Sequence, residues 1–249
     1  MPDDGMYLPL HVGAALHPDI CPEMQGDDTG DNISQLNPTY CELTGLYWVW
    51  RNCASDYKGL VHYRRYLGGT KPGRRRSQEW RNCILHKKEA LRLLQEADVI
   101  LPKRRNYYIE TVYSHYAHTF DASQFDQCRE ILGELEPGYV PAWDRLMESR
   151  GAHLFNMFVM RRELFDEYCE WLFPILDELQ LRIDSSRYDA FGARYLGRVS
   201  ERLLDPWVET NSLHIAELPV VSPEPVDWVK KGFSFLAAKF LGKKYGKSF

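Results

Sequence analysis

The 249-residue sequence lacks several features that would assign it to a class of protein at once. Its six cysteines form no Cys-x-x-Cys pair, which argues against a zinc site or a disulfide framework and favours a reducing, cytoplasmic setting. No apolar run approaches about 18 residues and no signal peptide is evident, so no segment is expected to cross a membrane. There is no internal repeat. A net charge of −4 argues against general nucleic-acid binding.

The residues that are present favour one packed domain with a basic end. A hydrophobic content of 44% is enough for a sizeable core at this length. The basic residues are unevenly distributed: four lie between Lys71 and Arg76, and six lysines lie between Lys230 and Lys247 without an acidic residue. We therefore divide the chain into a folded domain over residues 1–222 and a basic, amphipathic C-terminal tail over residues 223–249.

Hydrophobic periodicity predicts that strands alternate with helices. Short apolar runs bounded by glycine or proline predict strands, and apolar residues three or four apart predict helices. The predicted strands cover residues 6–12, 60–66, 99–102 and 153–160. The predicted helices cover residues 38–52, 87–97, 107–118, 125–135, 161–183 and 187–204. This order predicts an α/β domain with a mostly parallel central sheet flanked by helices.

One predicted strand ends in the segment His62-Tyr63-Arg64-Arg65-Tyr66. Because side chains alternate along a strand, His62, Arg64 and Tyr66 are expected to share one face, with Tyr63 and Arg65 on the other. The planar donor fork of arginine suits phosphate, and burying two arginines without an anion is costly. The segment therefore predicts a diphosphate-binding site at the edge of the sheet. A surface ion pair with tyrosine packing is the alternative.

A dense polar loop, Asp27-Asp28-Thr29-Gly30-Asp31-Asn32, precedes the first predicted helix. Its carboxylates could hold a ribose, a base or a divalent cation, although their spacing does not match an EF-hand. The alternative is a solvated loop in which Asp and Asn side chains make turn hydrogen bonds.

Two further segments carry histidines near polar partners. His115 and His118 are three residues apart in a predicted helix and share a face. Because no third metal ligand is evident nearby, contacts with sugar hydroxyls are the expected role for them. His153 and Asn156 lie near the start of a predicted strand, and strand ends in open α/β sheets are where ligands bind. A polar cap on a buried strand is the alternative for this second pair.

The last predicted helix has one strongly polar face. Arg194, Arg198, Glu201 and Arg202 follow one another at helical spacing, and Asp189 lies near the helix start. A carboxylate beside arginines can be a general base or the acidic half of an ion pair. Asp189 is the first candidate for a base because a helix start can face a cleft, and Glu201 is the second.

Together these segments resemble a known family. The resemblance rests, in order along the chain, on residues 27–34, 37–50, 59–66, 107–118, 149–158, 188–194 and 200–203. The ordered set is similar to the bacterial capsular and exopolysaccharide glycosyltransferase family long described as a domain of unknown function. It also resembles the galactofuranosyltransferase modules of O-antigen polymerases. The similarity covers about residues 6–215.

The resemblance implies a GT-A-like nucleotide-sugar-binding fold and inverting transfer of a sugar, with galactofuranose as one candidate, from a UDP-sugar to a glycan. Family members usually begin with one more strand and a Thr-His-Lys-like turn before the segment that matches Met6, so the first strand is expected to be missing here. Many GT-A enzymes have a metal-binding Asp-x-Asp where this chain has His-Tyr-Arg-Arg-Tyr, and cationic side chains can neutralise a departing UDP directly. We therefore expect no required cofactor, with Mn²⁺ or Mg²⁺ held by Asp27, Asp28 and Asp31 as the alternative.

This activity gives each polar segment an expected role. The donor-binding residues would be Asp27, Asp28, Asp31, Asn32, His62, Arg64, Arg65 and Tyr66. The acceptor-binding residues would be His115, His118, His153, Asn156 and Arg194. The catalytic residues would be Asp189 and Glu201, one of which deprotonates the acceptor hydroxyl. The alternative function is a catalytically impaired module that binds sugar nucleotides or glycans and scaffolds a polysaccharide assembly complex.

The tail from Trp228 to Phe249 combines apolar and basic side chains. An amphipathic segment of this kind lies in a membrane interface, where each lysine contributes on the order of 1 kcal/mol. We expect it to dock on an anionic membrane, which would hold the protein at the inner face of the cytoplasmic membrane, close to a lipid-linked glycan acceptor. A disordered soluble end, or an adaptor that acts through the tail alone, are the alternatives.

Overall fold

The computed structural model describes residues 2–70 and 80–223, which form a mixed α/β domain. The strands in these ranges are β1 (Leu10–His11), β2 (Gln25–Gly26), β3 (Tyr57–Leu60), β4 (Tyr66–Leu67), β5 (Val99–Pro102), β6 (Arg105–Asn106), β7 (Gly151–Ala152), β8 (Phe158–Arg161), β9 (Ile215–Leu218) and β10 (Val220–Val221). The α-helices are α1 (Asn37–Tyr40), α2 (Leu43–Asn52), α3 (Lys87–Leu93), α4 (Val112–Ala117), α5 (Ser123–Leu135), α6 (Val140–Glu148), α7 (Arg162–Arg182) and α8 (Tyr195–Thr210).

The central sheet has the strand order β3-β8-β5-β9 and is mixed. Strand β8 is antiparallel to both β3 and β5, and only β5 and β9 run parallel, with Val99 opposite Ile215. The prediction of a mostly parallel sheet is therefore wrong. The segment between β5 and β8 contains three helices and the antiparallel pair of short strands β6 and β7, not a single crossover helix. Strand β8 therefore enters the sheet antiparallel to β5.

Both faces of the sheet are covered at its two central strands, β5 and β8, which explains why these two strands are almost continuously apolar. Val99 and Leu101 of β5 face the large core formed with α5 to α8, whereas Ile100 between them packs with the smaller core around β4 and α3. Phe158 and Met160 of β8 also face the large core. Strand β3 can approach β8 closely because it has Gly59, where a side chain would collide with a backbone oxygen of β8.

Three predicted strands differ from the structure. The strand expected over residues 6–12 is reduced to β1, Leu10–His11. The strand expected over residues 60–66 is two short strands, β3 and β4, separated by a tight turn from His62 to Arg65. The sequence does not predict this turn, because Tyr63 and Arg64 at its tip are not typical turn residues. The strand expected over residues 153–160 begins only at Phe158, because Phe155 and Asn156 have positive φ and cannot continue an extended chain.

The helices agree better with the sequence, although the helix expected over residues 107–118 begins only at Val112 and α6 is not predicted by the sequence. The long helix expected over residues 161–183 is confirmed as α7 and continues through Pro174. The helix expected over 38–52 is divided into α1 and α2 at Cys41, which has a φ of 54°. The helix expected from residue 187 begins only at Tyr195, after two short 3₁₀ turns, and extends through Pro206 to Thr210.

The described part of the chain contains no helix that is both long and apolar enough to span a bilayer. The basic stretch from Lys71 to Arg76 and the tail from Trp228 to Phe249 lie outside the described residues.

Candidate functional site

The turn between β3 and β4 brings the backbones of His62 and Arg65 into direct contact. The backbone N–H of His62 donates to the carbonyl of Arg65 at 3.0 Å, and the reverse bond is 3.1 Å long. Tyr63 and Arg64 form the exposed tip, where the Arg64 guanidinium lies 4.8 Å from the centre of the Tyr63 ring. The predicted alternation, with His62, Arg64 and Tyr66 on one face, is therefore wrong because a turn reverses the chain instead of extending it.

Tyr66, the remaining residue of this segment, is part of the packing below the turn. Its buried ring lies 6.1 Å from the ring of Tyr7 and 5.5 Å from that of Trp80. Burial raises the pKa of its phenol. A donor-binding role for Tyr66 stays a prediction.

Arg65 contacts an unusual loop, residues 153–157, that connects β7 to β8. Its guanidinium carbon lies 4.5 Å from the centre of the Phe155 ring, and the His62 imidazole Nε2 contacts the Phe155 carbonyl. Phe155 and Asn156 have φ values of 78° and 49°. Two consecutive non-glycine residues in this region are strained, and such strain persists only where surrounding contacts enforce it. We call residues 153–157 the connecting loop.

The Asn156 side chain is fixed by three hydrogen bonds. Its amide nitrogen donates to Glu42 Oε1 at 2.8 Å and to the Gly197 carbonyl at 3.0 Å. Its amide oxygen accepts from the Ser200 hydroxyl at 3.1 Å. Both amide hydrogens are used, and the buried amide ties the connecting loop to α8 and to the residue before α2. The predicted pair His153 and Asn156 therefore lies at one loop, with Asn156 facing a carboxylate.

His153 anchors the other end of the connecting loop. The buried imidazole contacts Asp205 of α8 through Nδ1 and Glu217 of β9 through Nε2 at 2.9 Å. Burial alone would lower the pKa of His153, but the hydrogen bonds and charges of Asp205 and Glu217 outweigh it and raise the pKa. Because both ring nitrogens are occupied, His153 positions the loop in this structure, and acceptor binding by it stays a prediction.

Shared neighbours link five arginines, which we call the arginine cluster: Arg65, Arg105, Arg194, Arg198 and Arg202. Arg194, just before α8, and Arg198 and Arg202 within it are four residues apart and therefore share a face. Arg65 is half-buried, and burial lowers its pKa, although the negative charges of Glu201 and Glu42 oppose this effect. A partly desolvated group of cations at a strained loop is suited to bind an anion.

The α8 part of the cluster is held rigidly. Arg198 donates to the carbonyls of Phe191 and Gly192 at 2.9 and 2.7 Å. Arg202 is buried and donates to Glu201 at 2.5 Å. Within the described residues, the Nε atoms of Arg198 and Arg202 are buried without a hydrogen-bond partner, so each guanidinium keeps one donor unused.

The other predicted residues of this region occupy different environments. Arg194 is largely exposed, and its Nε donates to Cys41 Sγ at 3.1 Å. Asp189 is exposed and precedes α8 by six residues, and its carboxylate accepts from the Gly192 backbone N–H at 2.6 Å. Glu201 lies inside the arginine cluster through its bond to Arg202. Catalytic roles for Asp189 and Glu201 stay predictions.

His115 and His118 meet at a shared carboxylate. Glu110 accepts from the Nδ1 atoms of both imidazoles at 2.8 Å, and the Tyr107 ring stacks on His115 with 4.1 Å between ring centres. Burial would raise the Glu110 pKa, but the two histidine bonds outweigh it and lower the pKa. Burial also lowers the pKa of His115, against the influence of Glu110. This group adjoins the arginine cluster, because the positive charges of Arg105 and Arg202 both contribute to lowering the pKa of His115.

Asp27, in the polar loop, is completely buried and already saturated with hydrogen bonds. It accepts from the backbone N–H groups of Gly13 and Ala14 at 2.9 and 3.1 Å, and from the hydroxyls of Ser34 and Thr44 at 2.5 and 2.6 Å. These four bonds join the N-terminal segment, the polar loop and α2. The arrangement indicates a structural role, and donor binding by Asp27 stays a prediction.

The rest of the polar loop is open to solvent. Asp31 pairs with Arg51 at 2.6 Å, and Asn32 donates to the carbonyls of Asp28 and Gly30 at 3.1 and 3.0 Å. Asp28 and Asn32 line a depression of about 480 Å³ together with Ala15 and residues 33–36. In the described ranges, no three His, Cys, Asp or Glu side chains are grouped in a way that would hold a metal ion.

Sequence reasoning missed Glu42, Arg105 and Phe155 as members of the site. Glu42 lies inside a predicted helix, Arg105 lies in a two-residue strand, and Phe155 lies inside a predicted apolar strand. No local pattern predicts their meeting, since they lie on separate elements. The tendency of Asn to adopt positive φ is the one signal that marks this loop in advance.

The fold and the arginine cluster define a mixed α/β protein with a cationic site between a turn, a strained loop and a helix. The chain belongs to the family described as "Domain of unknown function (DUF4422)", which matches residues 1–212. The apo structure of WbbM, a bifunctional glycosyltransferase, is similar, with a TM-score of 0.80 and 32% sequence identity over 90% of this chain. This chain spans 43% of that chain. No curated protein matches it. The family predicted from the sequence, one related to glycosyltransferases, is confirmed.

Proposed function

We propose that this chain is a glycosyltransferase domain that transfers a sugar from a nucleoside-diphosphate-sugar donor to a glycan acceptor. The observation that carries the proposal is the half-buried guanidinium of Arg65, stacked on the strained Phe155 and grouped with Glu201 and Arg105. The similarity to a glycosyltransferase structure supports the same reading. A solvent-shielded cation of this kind is suited to the charge that develops on a departing diphosphate.

Each part of the site would have a separate role in the transfer reaction. The arginines would stabilise the departing diphosphate, because hydrogen bonds from guanidinium to phosphate oxygens are charge-assisted and often bidentate. The depression beside Asp28 and Asn32 would hold the nucleoside. His115 and His118, the acceptor-binding histidines expected from the sequence, would contact acceptor hydroxyls together with Glu110, which holds both imidazoles. The carboxylates inside the cluster would handle the acceptor proton.

The finer features of the proposal follow the family resemblance. We propose a GT-A-like donor site, a UDP-sugar such as UDP-galactofuranose as donor, and a role in capsule, exopolysaccharide or O-antigen synthesis. The tail from Trp228 to Phe249 would bind an anionic membrane surface from the cytoplasmic side. In this arrangement the arginines would neutralise the diphosphate directly. The alternative is that a divalent cation near Asp28 and Asp31 neutralises it, and comparing donor binding with and without Mn²⁺ distinguishes the two.

The test is a donor screen with the full chain. Calorimetry with UDP, UDP-galactose, UDP-glucose and UDP-galactofuranose, with and without Mn²⁺, measures binding, and release of UDP in the presence of an octyl galactoside acceptor measures turnover. We expect UDP and at least one UDP-sugar to bind, with acceptor-dependent UDP release. Binding without turnover would favour the sugar-nucleotide-binding module instead. No binding of any of these ligands would refute the proposal.

A further inference from the structure

The position of Glu42 results from a break in the helix on which it was predicted to lie. Cys41, between α1 and α2, has φ and ψ values of 54° and −129°, which end α1 and redirect the chain. Glu42 immediately precedes α2, and its side chain turns toward the connecting loop, where Oε1 accepts from the Asn156 amide at 2.8 Å. Three residues with positive φ, Cys41, Phe155 and Asn156, therefore lie next to this one carboxylate in the chain or in the connecting loop that it contacts.

The other oxygen of Glu42, Oε2, lies beside Gly197 of α8. A Cβ added to Gly197 would lie 3.7 Å from Glu42 Oε2 and 3.5 Å from Cys41 Cβ, so a side chain at this position would contact both residues. Glu42 is only partly buried, and no described side chain or backbone group donates a hydrogen bond to its Oε2. Asn156 thus fixes one oxygen, and the other accepts no hydrogen bond from the described residues.

The carboxylates Glu42, Glu201 and Asp189 lie in or near the arginine cluster, and their partners differ. Glu201 is neutralised by the buried Arg202 at 2.5 Å. Asp189 is exposed and holds the Gly192 backbone N–H. Glu42 is oriented by a neutral amide, while its charge acts on Arg65 and Arg194. A general base needs a fixed orientation without a cation that takes its lone pairs, and Glu42 meets this requirement best.

We propose that Glu42 is the catalytic base of the transfer reaction, an inference that rests on the proposed function. Glu42 Oε2 takes the proton of the acceptor hydroxyl as that oxygen bonds to the anomeric carbon of the donor. The bond from that carbon to the diphosphate oxygen breaks, and the nucleoside diphosphate leaves with the electron pair, stabilised by Arg65. Glu42 then releases the proton to solvent. Asn156 is a positioning residue that holds Glu42 in line.

The variant Glu42→Gln tests this role without disturbing the site. Glutamine keeps the shape and an oxygen that accepts from Asn156, but it cannot take a proton at neutral pH. We expect kcat for UDP release to fall by about 10²–10⁴-fold, while the Kd for UDP changes less than about threefold. Glu96→Gln, at an exposed glutamate after α3, is the matched control and should retain wild-type kcat.

Each outcome decides a separate question. A kcat for Glu42→Gln within about threefold of wild type, or a parallel loss of UDP affinity, would overturn the role of Glu42 while leaving the proposed function intact. A loss of kcat in Asp189→Asn, with Glu42→Gln active, would transfer the role to Asp189. If Glu42→Gln does not fold, Glu42→Asp should lower kcat about tenfold or more at unchanged UDP affinity, and unchanged kcat would overturn the role. A wild-type chain that neither binds nor releases UDP would instead refute the proposed function.

Discussion

Arg65 stacks its guanidinium on the ring of Phe155, at 4.5 Å from the ring centre, and Phe155 itself has a φ of 78°. An aromatic face attracts a cation through its quadrupole, so the Phe155 ring holds the Arg65 guanidinium in place. The strained backbone is what presents the ring at this place. The contact therefore links the conformation of the connecting loop to the position of the cation.

The first prediction separates the two neighbouring arginines. Arg65→Ala should weaken UDP binding by about 10–100-fold, the equivalent of roughly 1.5–3 kcal/mol for a lost charge-assisted contact. Arg64→Ala is the matched control, because Arg64 lies at the exposed tip of the same turn and should change the Kd less than about threefold. Calorimetry measures both. Equal losses in the two variants, or none in either, would contradict this assignment.

The second prediction concerns stability and pH. Because contacts with Asp205 and Glu217 raise the pKa of folded His153, its charged form stabilises the protein fully below the unfolded pKa, and this contribution is lost as pH rises through the folded pKa. His153→Ala should lower the free energy of unfolding by about 3–5 kcal/mol at pH 6, as expected when a buried pair loses one partner. The difference from wild type should narrow toward pH 9.

Urea unfolding at pH 6, 7.5 and 9 measures this difference. His214→Ala is the control, because its imidazole also pairs with a carboxylate, Asp98, but is 85% exposed and should contribute little. Glu217 has a lowered pKa, chiefly because the histidine bond outweighs the effect of burial, so its own contribution is lost at acidic pH as its folded pKa is passed. A pH-independent difference between wild type and His153→Ala would argue against the charged pair.

The third prediction distinguishes two neighbouring aspartates of the polar loop. Asp27→Ala should lower the free energy of unfolding by about 2–6 kcal/mol, because the buried N–H groups of Gly13 and Ala14 lose their acceptor and each costs about 1–3 kcal/mol. Asp28→Ala, at an exposed position, should change it by less than about 0.5 kcal/mol. Chemical denaturation measures both. A fully stable Asp27→Ala with impaired UDP binding would reverse the interpretation in favour of a ligand-binding role.

The fourth prediction concerns the tail. Deleting Trp228–Phe249 should abolish co-sedimentation with anionic liposomes at low salt, because the deletion removes the apolar side chains and the lysines together. UDP release with a short soluble acceptor should be retained. Neutral liposomes are the control, since they lack the attraction for lysine. If the shortened and full chains sediment equally, the tail is not the membrane-binding segment.

Part of this structure follows from local sequence. The apolar run Val99 to Pro102 forms a strand as predicted, since four successive buried residues bounded by polar ones suit a sheet covered on both faces. The long amphipathic pattern from residue 161 to 183 likewise gives α7, because an apolar stripe of that length specifies a helix and its buried face. Both signals depend only on periodicity.

The candidate site depends on contacts that periodicity does not encode. Asn156 adopts positive φ because Glu42, Gly197 and Ser200, each distant in sequence, hold its side chain. The turn at His62 exists because His62 and Arg65 pair with each other and pack on Phe155. The sequence by itself determined the family, the long helix α7 and the buried strand β5. Only the tertiary structure decided the strand directions and which carboxylate meets which arginine, because both depend on the relative placement of elements that are far apart along the chain.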